Sequence, residues 1–299
     1  MVFNRRTFIA LGATSLAAVA GSATAAPPIA YTKEAGGKFE LYLTNENGSG
    51  TVKLYSSPAR NSIGNVDMNP AGNQIAFTES RSTGFKILQY SANGLPATVT
   101  TYDDGCWVDG LDYHPFDSSL LIIHRCPNPQ SITIRRWANG AYLSSMLPTN
   151  GQNDAYRGVR WLGDGRDFLM VYATPTGATL RRHSLDFSSA PVPIKFWEGL
   201  GAGPRGFDAA RCQDDILQPA CMKIVYEDAT GVRELIYDSG GAGADSLLVA
   251  GATGGRYSPN NGRILYRASA PKGTYTLNVT NPPETAGAKA VYGTSDWRP

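Results

Sequence analysis

Apolar and polar residues alternate with period two along Phe39-Glu40-Leu41-Tyr42-Leu43-Thr44. The alternation resumes at Val52-Lys53-Leu54 after an Asn/Gly-rich turn from Asn45 to Gly50. A period of two sends successive side chains to opposite faces of a strand, and the turn between the two runs predicts a hairpin. The pattern returns at Lys86 to Tyr90 before Asn93-Gly94, and at Ile132 to Trp137 before Asn139-Gly140. Other stretches are strand formers at nearly every position: Ile75-Ala76-Phe77, Leu120-Leu121-Ile122-Ile123, Phe168-Leu169-Met170-Val171, Met222-Lys223-Ile224-Val225-Tyr226 and Arg263-Ile264-Leu265-Tyr266.

Each of these runs follows a similar lead-in, an apolar or aromatic residue and then a turn. The copies are Gly64-Asn65-Val66-Asp67-Met68-Asn69-Pro70, Gly110-Leu111-Asp112-Tyr113-His114-Pro115, Gly158-Val159-Arg160-Trp161-Leu162-Gly163, Gly206-Phe207-Asp208-Ala209-Ala210 and Gly254-Gly255-Arg256-Tyr257-Ser258-Pro259. Asp296-Trp297-Arg298-Pro299 starts another. With Asp67 as reference, the equivalent positions are Asp112, Arg160, Asp208, Arg256 and Asp296, at steps of 45, 48, 48, 48 and 40 residues. A four-stranded propeller blade takes about 40–50 residues, so each step predicts one blade. The last copy lacks its second strand, while Ile29-Ala30-Tyr31-Thr32 reads like Ile75-Ala76-Phe77-Thr78. The expected fold is therefore all-β: a six-bladed β-propeller of four-stranded antiparallel blades. Its C-terminal blade would be completed by N-terminal strands, which removes open sheet edges.

The segments Asp67-Met68-Asn69-Pro70-Ala71-Gly72-Asn73-Gln74-Ile75-Ala76-Phe77 and Leu41-Tyr42-Leu43-Thr44-Asn45-Glu46-Asn47-Gly48-Ser49-Gly50, with the closing Asp296-Trp297-Arg298-Pro299, resemble the TolB-type, WD-like repeat. The resemblance covers the chain after its first 25 residues. It implies a six-bladed propeller of the exported, partner-binding kind. The extra N-terminal domain of TolB itself is not expected here, and neither is a Tol-system role. The stretch Cys212 to Cys221 replaces the usual short turn of the repeat.

Residues 1–25 read as a cleavable signal rather than as part of the fold. Arg5-Arg6 precede Phe8 and an apolar run from Ala10 to Ala20, and Ala23-Thr24-Ala25 supplies a small-x-small cleavage site. The paired arginines suggest the twin-arginine route, and residues 26–299 form the propeller. The run is too short to span a bilayer, so export to the periplasm or beyond is expected, without membrane insertion. Composition agrees with many short strands: 33 Gly and 19 Pro among 299 residues, and only 17% charged. The signal holds two of the 27 basic residues and no acid, so the mature chain balances 25 basic against 25 acidic residues. That balance favours neither nucleic acid nor an anionic membrane as partner.

Four cysteines in an exported chain predict disulfides. Cys106 and Cys126 are equally spaced about the turn near Phe116, which predicts one bridge. Cys212 and Cys221 flank an enlarged loop, which predicts the second. The column Asp67, Asp112, Arg160, Asp208, Arg256 and Asp296 is ionisable in all six blades; ion pairs between blades are the favoured reading, with a polar channel holding an ion or small ligand as the other. The next column, Tyr113, Trp161, Tyr257 and Trp297, would fill space between blades. The glycine column Gly110, Gly158, Gly206 and Gly254 would let backbones crowd.

No nucleophile elbow, phosphate loop, dinucleotide fingerprint or paired-His metal motif occurs in the mature chain, and Ser269-Ala270-Pro271-Lys272 lies in a Pro-containing loop. Neither a cofactor nor a metal is expected. Asp103, Asp104, Asp109 and Asp112 are read as a solvated loop rim. The favoured function is a monomeric periplasmic binding or scaffold module for a protein, peptide or glycan. Its rim would carry Arg60, Asp103, Asp104, Trp107, Arg125, Tyr156, Arg157 and Arg205, with Trp107 and Tyr156 as stacking platforms. The alternative is a secreted, lactonase-like hydrolase or lyase with a divalent metal at the channel mouth.

Overall fold

The computed structural model describes residues 28–45, 48–58, 61–91, 96–103, 105–127, 130–138, 141–146, 155–186, 189–199, 201–204, 206–211, 221–238, 241–258, 263–269, 275–279, 284–290 and 295–297. At 103, 127, 130–135, 137, 138, 141–146, 211, 238, 242, 269 and in the strands beyond 274 only the backbone is described. The expected signal at 1–25 lies outside the described residues.

Among the described residues, 24 strands form six four-stranded antiparallel sheets. The first joins the two ends of the chain: β24 (Ser295–Trp297), β1 (Ile29–Ala35), β2 (Lys38–Thr44) and β3 (Val52–Ser56) lie side by side in that order. Ile29 pairs with Trp297, Ala30 with Asp296 and Tyr31 with Ser295. The second sheet is β4 (Ile63–Met68), β5 (Gln74–Arg81), β6 (Gly84–Ser91) and β7 (Ala97–Asp103). The third is β8 (Trp107–Tyr113), β9 (Leu120–Pro127), β10 (Gln130–Ala138) and β11 (Ala141–Met146). The fourth is β12 (Ala155–Trp161), β13 (Asp167–Thr174), β14 (Gly177–Ser184) and β15 (Val192–Glu198). The fifth is β16 (Phe207–Arg211), β17 (Met222–Asp228), β18 (Gly231–Asp238) and β19 (Gly241–Ala250). The sixth is β20 (Thr253–Tyr257), β21 (Ile264–Ser269), β22 (Tyr275–Val279) and β23 (Glu284–Ala290). One edge strand of each sheet touches its counterpart in the next: β4 meets β8, β8 meets β12, β12 meets β16, β16 meets β20, β20 meets β24, and β24 meets β4.

The second strand of a sheet explains the runs of consecutive apolar residues. In β5, Ile75 and Phe77 pack toward Ala30, Leu41 and Leu43 of the first sheet. Ala76, between them, packs toward Leu111 and Ile122 of the third. In β13, Phe168 and Met170 face Leu121 and Ile123, while Leu169 and Val171 face Phe207 and Ile224. Both faces are covered, so alternation gives way to a continuous apolar run. Burying each such side chain stabilises the fold by roughly 1.5–3 kcal/mol.

The inner strands are bulged where they crowd. Register shifts fall between Gly64 and Asp67, Val108 and Gly110, Arg157 and Val159, and Thr253 and Arg256. Gly158 (φ 61°) and Gly254 (φ 67°) supply the left-handed residue, and Asn65 (φ 46°) takes that place in β4. A Cβ on Gly110 would sit 2.9 Å from the Val159 nitrogen and 3.0 Å from Gly158. Crowding thus accounts for glycine at 110 and backbone conformation for glycine at 158 and 254. At Gly206 a Cβ would meet nothing within 4 Å.

Turns after the inner strands are held by a residue at their start. The Asn69 Oδ1 accepts from the Asn73 and Gln74 N–H groups, at 3.0 and 2.9 Å. His114 holds the equivalent place. The N–H groups of Phe116 and Asp117 point at its Nδ1, and its Nε2 lies 2.9 Å from the Gly165 carbonyl oxygen in the next sheet.

Candidate functional site

The ionisable column lies where the inner strands meet. Three of its aspartates share one task. Asp67 accepts the N–H of Tyr113 at 2.7 Å, Asp112 that of Trp161 at 2.5 Å, and Asp208 that of Tyr257 at 2.9 Å. Each bond crosses to the next sheet, and each donor is the residue after a column position.

Arg160 gathers the rest. Its Nη1 donates to Asp112 Oδ1 at 3.1 Å, to the Leu111 carbonyl at 3.2 Å and to Asp67 Oδ1 at 3.4 Å. Its Nε donates to the Phe207 carbonyl at 3.2 Å and lies 3.6 Å from Asp208 Oδ1. Arg256 donates to the Phe207 and Gly255 carbonyls at 2.8 and 3.1 Å. The Asp296 backbone pairs with Ala30, and nothing of its side chain is described. Asp67 and Asp112 are fully buried and Arg160 nearly so. Charges at that depth persist because they are paired and hydrogen-bonded. The ion pairs of Arg160 with Asp67, Asp112 and Asp208 tie neighbouring sheets together.

The rim residues are distributed differently. Trp107 opens β8 with 54% of its surface exposed, its ring 5.7 Å from Phe85 of the second sheet. Arg125 of β9 pairs directly opposite Trp107. It grips Asp109 with two bonds, Nε to Oδ2 at 2.7 Å and Nη2 to Oδ1 at 3.2 Å. Asp109 stands in β8 beside Gly110, whose backbone presses on Gly158. Arg157, one residue before Gly158, therefore brings a second positive charge to Asp109. Burial nevertheless pushes the Asp109 carboxyl above its usual range, against the pull of Arg125 and Arg157.

Trp107, Arg125 and Arg157 thus come together as rim residues, joined by Phe85 and Asp109. Tyr156 does not join them. It is 1% exposed and packs against Tyr172 and His183 in the core; side chains alternate along β12, so while Arg157 is half-exposed Tyr156 turns inward. Asp109 and Asp112 also depart from the expected solvated loop, since both lie in β8 and make buried or half-buried ion pairs. Asp103 ends β7 opposite Gly84, and only its backbone is described. Arg60, Asp104 and Arg205 lie outside the described residues. Asp109 was legible in retrospect, being two residues beyond Trp107 on a strand.

A disulfide joins Cys106 to Cys126, with Cα atoms 4.2 Å apart. It clamps the ends of β8 and β9 next to Trp107 and Arg125. Cys221 is also disulfide-bonded; its expected partner, Cys212, lies outside the described residues. Among the described residues, no three of His, Cys, Asp and Glu gather as a metal site.

No family model and no curated protein matches the chain. Solved structures do. TolB from Acinetobacter baumannii superposes with a TM-score of 0.69 at 16% identity, over 91% of this chain and 67% of that one. The fold is a β-propeller. A chain of the nidogen/laminin complex matches with a TM-score of 0.62 at 13% identity, over 90% and 97% of the two chains. The Pseudomonas aeruginosa periplasmic gluconolactonase matches at 0.53 and 12%, over 91% and 84%. The propeller therefore resembles proteins of unlike kinds, and its function has to be argued from its own residues.

Proposed function

We propose that this chain is an exported binding or scaffold module: a closed six-bladed propeller that offers one rim to a protein, peptide or glycan in the periplasm. The six sheets, the pairing of β1 with β24 and the circuit of inner strands support the ring. The Cys106–Cys126 bridge supports an oxidising compartment, and the twin arginines of the first 25 residues support the route.

One observation carries the binding reading. The buried charges of Asp67, Asp112 and Arg160 are turned into ties between blades, whereas Trp107, Arg125 and Arg157 remain accessible around Asp109 at the rim end of the third blade. An exposed tryptophan beside arginines is the composition of energetic centres in binding surfaces.

The test is affinity capture from a periplasmic extract on the immobilised mature protein, repeated with Trp107→Ala and Arg157→Ala. Partners held by this rim disappear from both variants. Retention of every partner by both variants would falsify the assignment.

A further inference from the structure

The rim end of the third blade, which carries Trp107, has a charge imbalance that assigns its ligand a chemistry. Among its described side chains are one carboxylate, Asp109, and two guanidiniums, Arg125 and Arg157. Arg125 is committed: both of its bonds go to Asp109, one to each oxygen. A bidentate pair of this kind fixes the arginine and leaves it little capacity for another anion. Arg157 is placed differently. It comes from the neighbouring blade, at the bulge where β12 presses on β8, and among the described residues its side chain makes no ion pair or hydrogen bond. It is half-buried, and its charge acts on an Asp109 already held by Arg125.

An apolar surface adjoins this surplus charge. Trp107 is 54% exposed and rests on Phe85, and Arg125 lies directly across the strand pair from it. The Cys106–Cys126 bridge fixes the hairpin on which Trp107, Asp109 and Arg125 all stand. The indole leans toward the second blade and the cation arrives from the fourth, so both flank the rigid rim end of the third blade. A ring-bearing anion matches that set, with its flat face on Trp107 and its carboxylate on Arg157.

The geometry points to a carboxylate-binding site across the rim end of the third blade, in which Arg157, arriving from the fourth blade, takes the anion and Trp107 covers the adjoining ring or apolar face. This rests on the reading of that face as a binding rim. It makes a carboxylate carried on a flat or apolar group, as in an acidic sugar or a peptide C-terminus, the chemical class the rim selects.

The experiment titrates the mature protein, labelled with nitrogen-15, with benzoate, benzyl alcohol and benzylamine, three probes of similar ring and different charge. The Trp107 indole resonance is assigned by its loss in Trp107→Phe. Benzoate is expected to shift that resonance saturably and about ten-fold more tightly than benzyl alcohol, the benefit of one hydrogen bond to a charged group. Arg157→Gln removes the preference and leaves the fold's other resonances in place. Benzylamine is the weakest of the three. Equal binding of benzoate and benzyl alcohol, preference for benzylamine, absence of any shift at Trp107, or an undiminished preference in Arg157→Gln each overturns the carboxylate site. Those failures are separable from failure of the rim itself: a rim without charge preference still loses captured partners in Trp107→Ala, whereas a face that is no rim loses none.

Discussion

His183 lends itself to a quantitative test, because it is a titratable group buried where a charge has no place. Its ring lies parallel to Phe168, 5.5 Å between centroids, with Tyr156 edge-on at 6.5 Å, and it is 3% exposed. Burial, helped by the charge of Arg181, pushes its pKa down to about 4 from 6.5. The unfolded chain therefore binds this proton at a higher pH than the folded one. Stability contributed by the neutral ring is complete above pH 6.5 and falls as the pH drops toward 4. By proton linkage the whole loss is about 3 kcal/mol, with about 2 kcal/mol gone by pH 4.5. His183→Phe keeps an aromatic ring against Phe168 and takes up no proton. The assay is urea unfolding of both proteins at pH 7 and pH 4.5, compared as a double difference. Carboxylates cancel in that comparison, both those held below their usual range, Glu40, Asp117 and Asp245, and Asp109, which is held above it. The wild type should lose about 2 kcal/mol more than the variant. Equal losses in the two proteins would refute the assignment, as would an imidazole titration centred near 6.5.

Other perturbations address the ties between blades. Asp67→Ala strips the Tyr113 N–H of its acceptor and Arg160 of one carboxylate in a fully buried setting. Urea melts should show a loss of about 3 kcal/mol or more, and a loss below about 0.5 kcal/mol would place the site among ordinary surface positions. Cys106→Ser opens a loop of sequence separation 20, and the chain-entropy relation puts the loss near 3 kcal/mol; unchanged melting would mean the bridge restricts nothing in the unfolded chain. Gly110→Ala drives a methyl group against the β12 backbone, at a cost of about 1–3 kcal/mol, whereas Gly206→Ala, which meets nothing, should melt within about 0.5 kcal/mol of the wild type.

The sheets were legible because each repeat carries an ionisable residue at fixed spacing, followed in four of the six by an aromatic, and each of these has its own physical job. Asp67, Asp112 and Asp208 recur because a backbone N–H in the next blade needs an acceptor. Gly158 and Gly254 recur because the bulge needs a left-handed residue, which also explains why asparagine replaces glycine at position 65. Cys106 and Cys126 were legible from their equal distance to one turn. The rim was harder to read. Which of Tyr156 and Arg157 faces outward depends on the orientation of a strand about its bulge, and spacing alone leaves that open. Asp109 looked like part of an acidic loop because the strand begins at Trp107, only a few residues past Asp103. Its partner Arg125 is distant in sequence and adjacent only through the register of β8 on β9.

Arg160 has a consequence for how the molecule comes apart. Tandem-repeat folds whose units touch only their neighbours can unzip from one end. Arg160 belongs to the fourth sheet yet bonds to Asp67 of the second, Asp112 of the third and the Phe207 carbonyl of the fifth. Loosening any one of those four units strands a charge in the centre shared by the others, so they are bound to melt in a single concerted step.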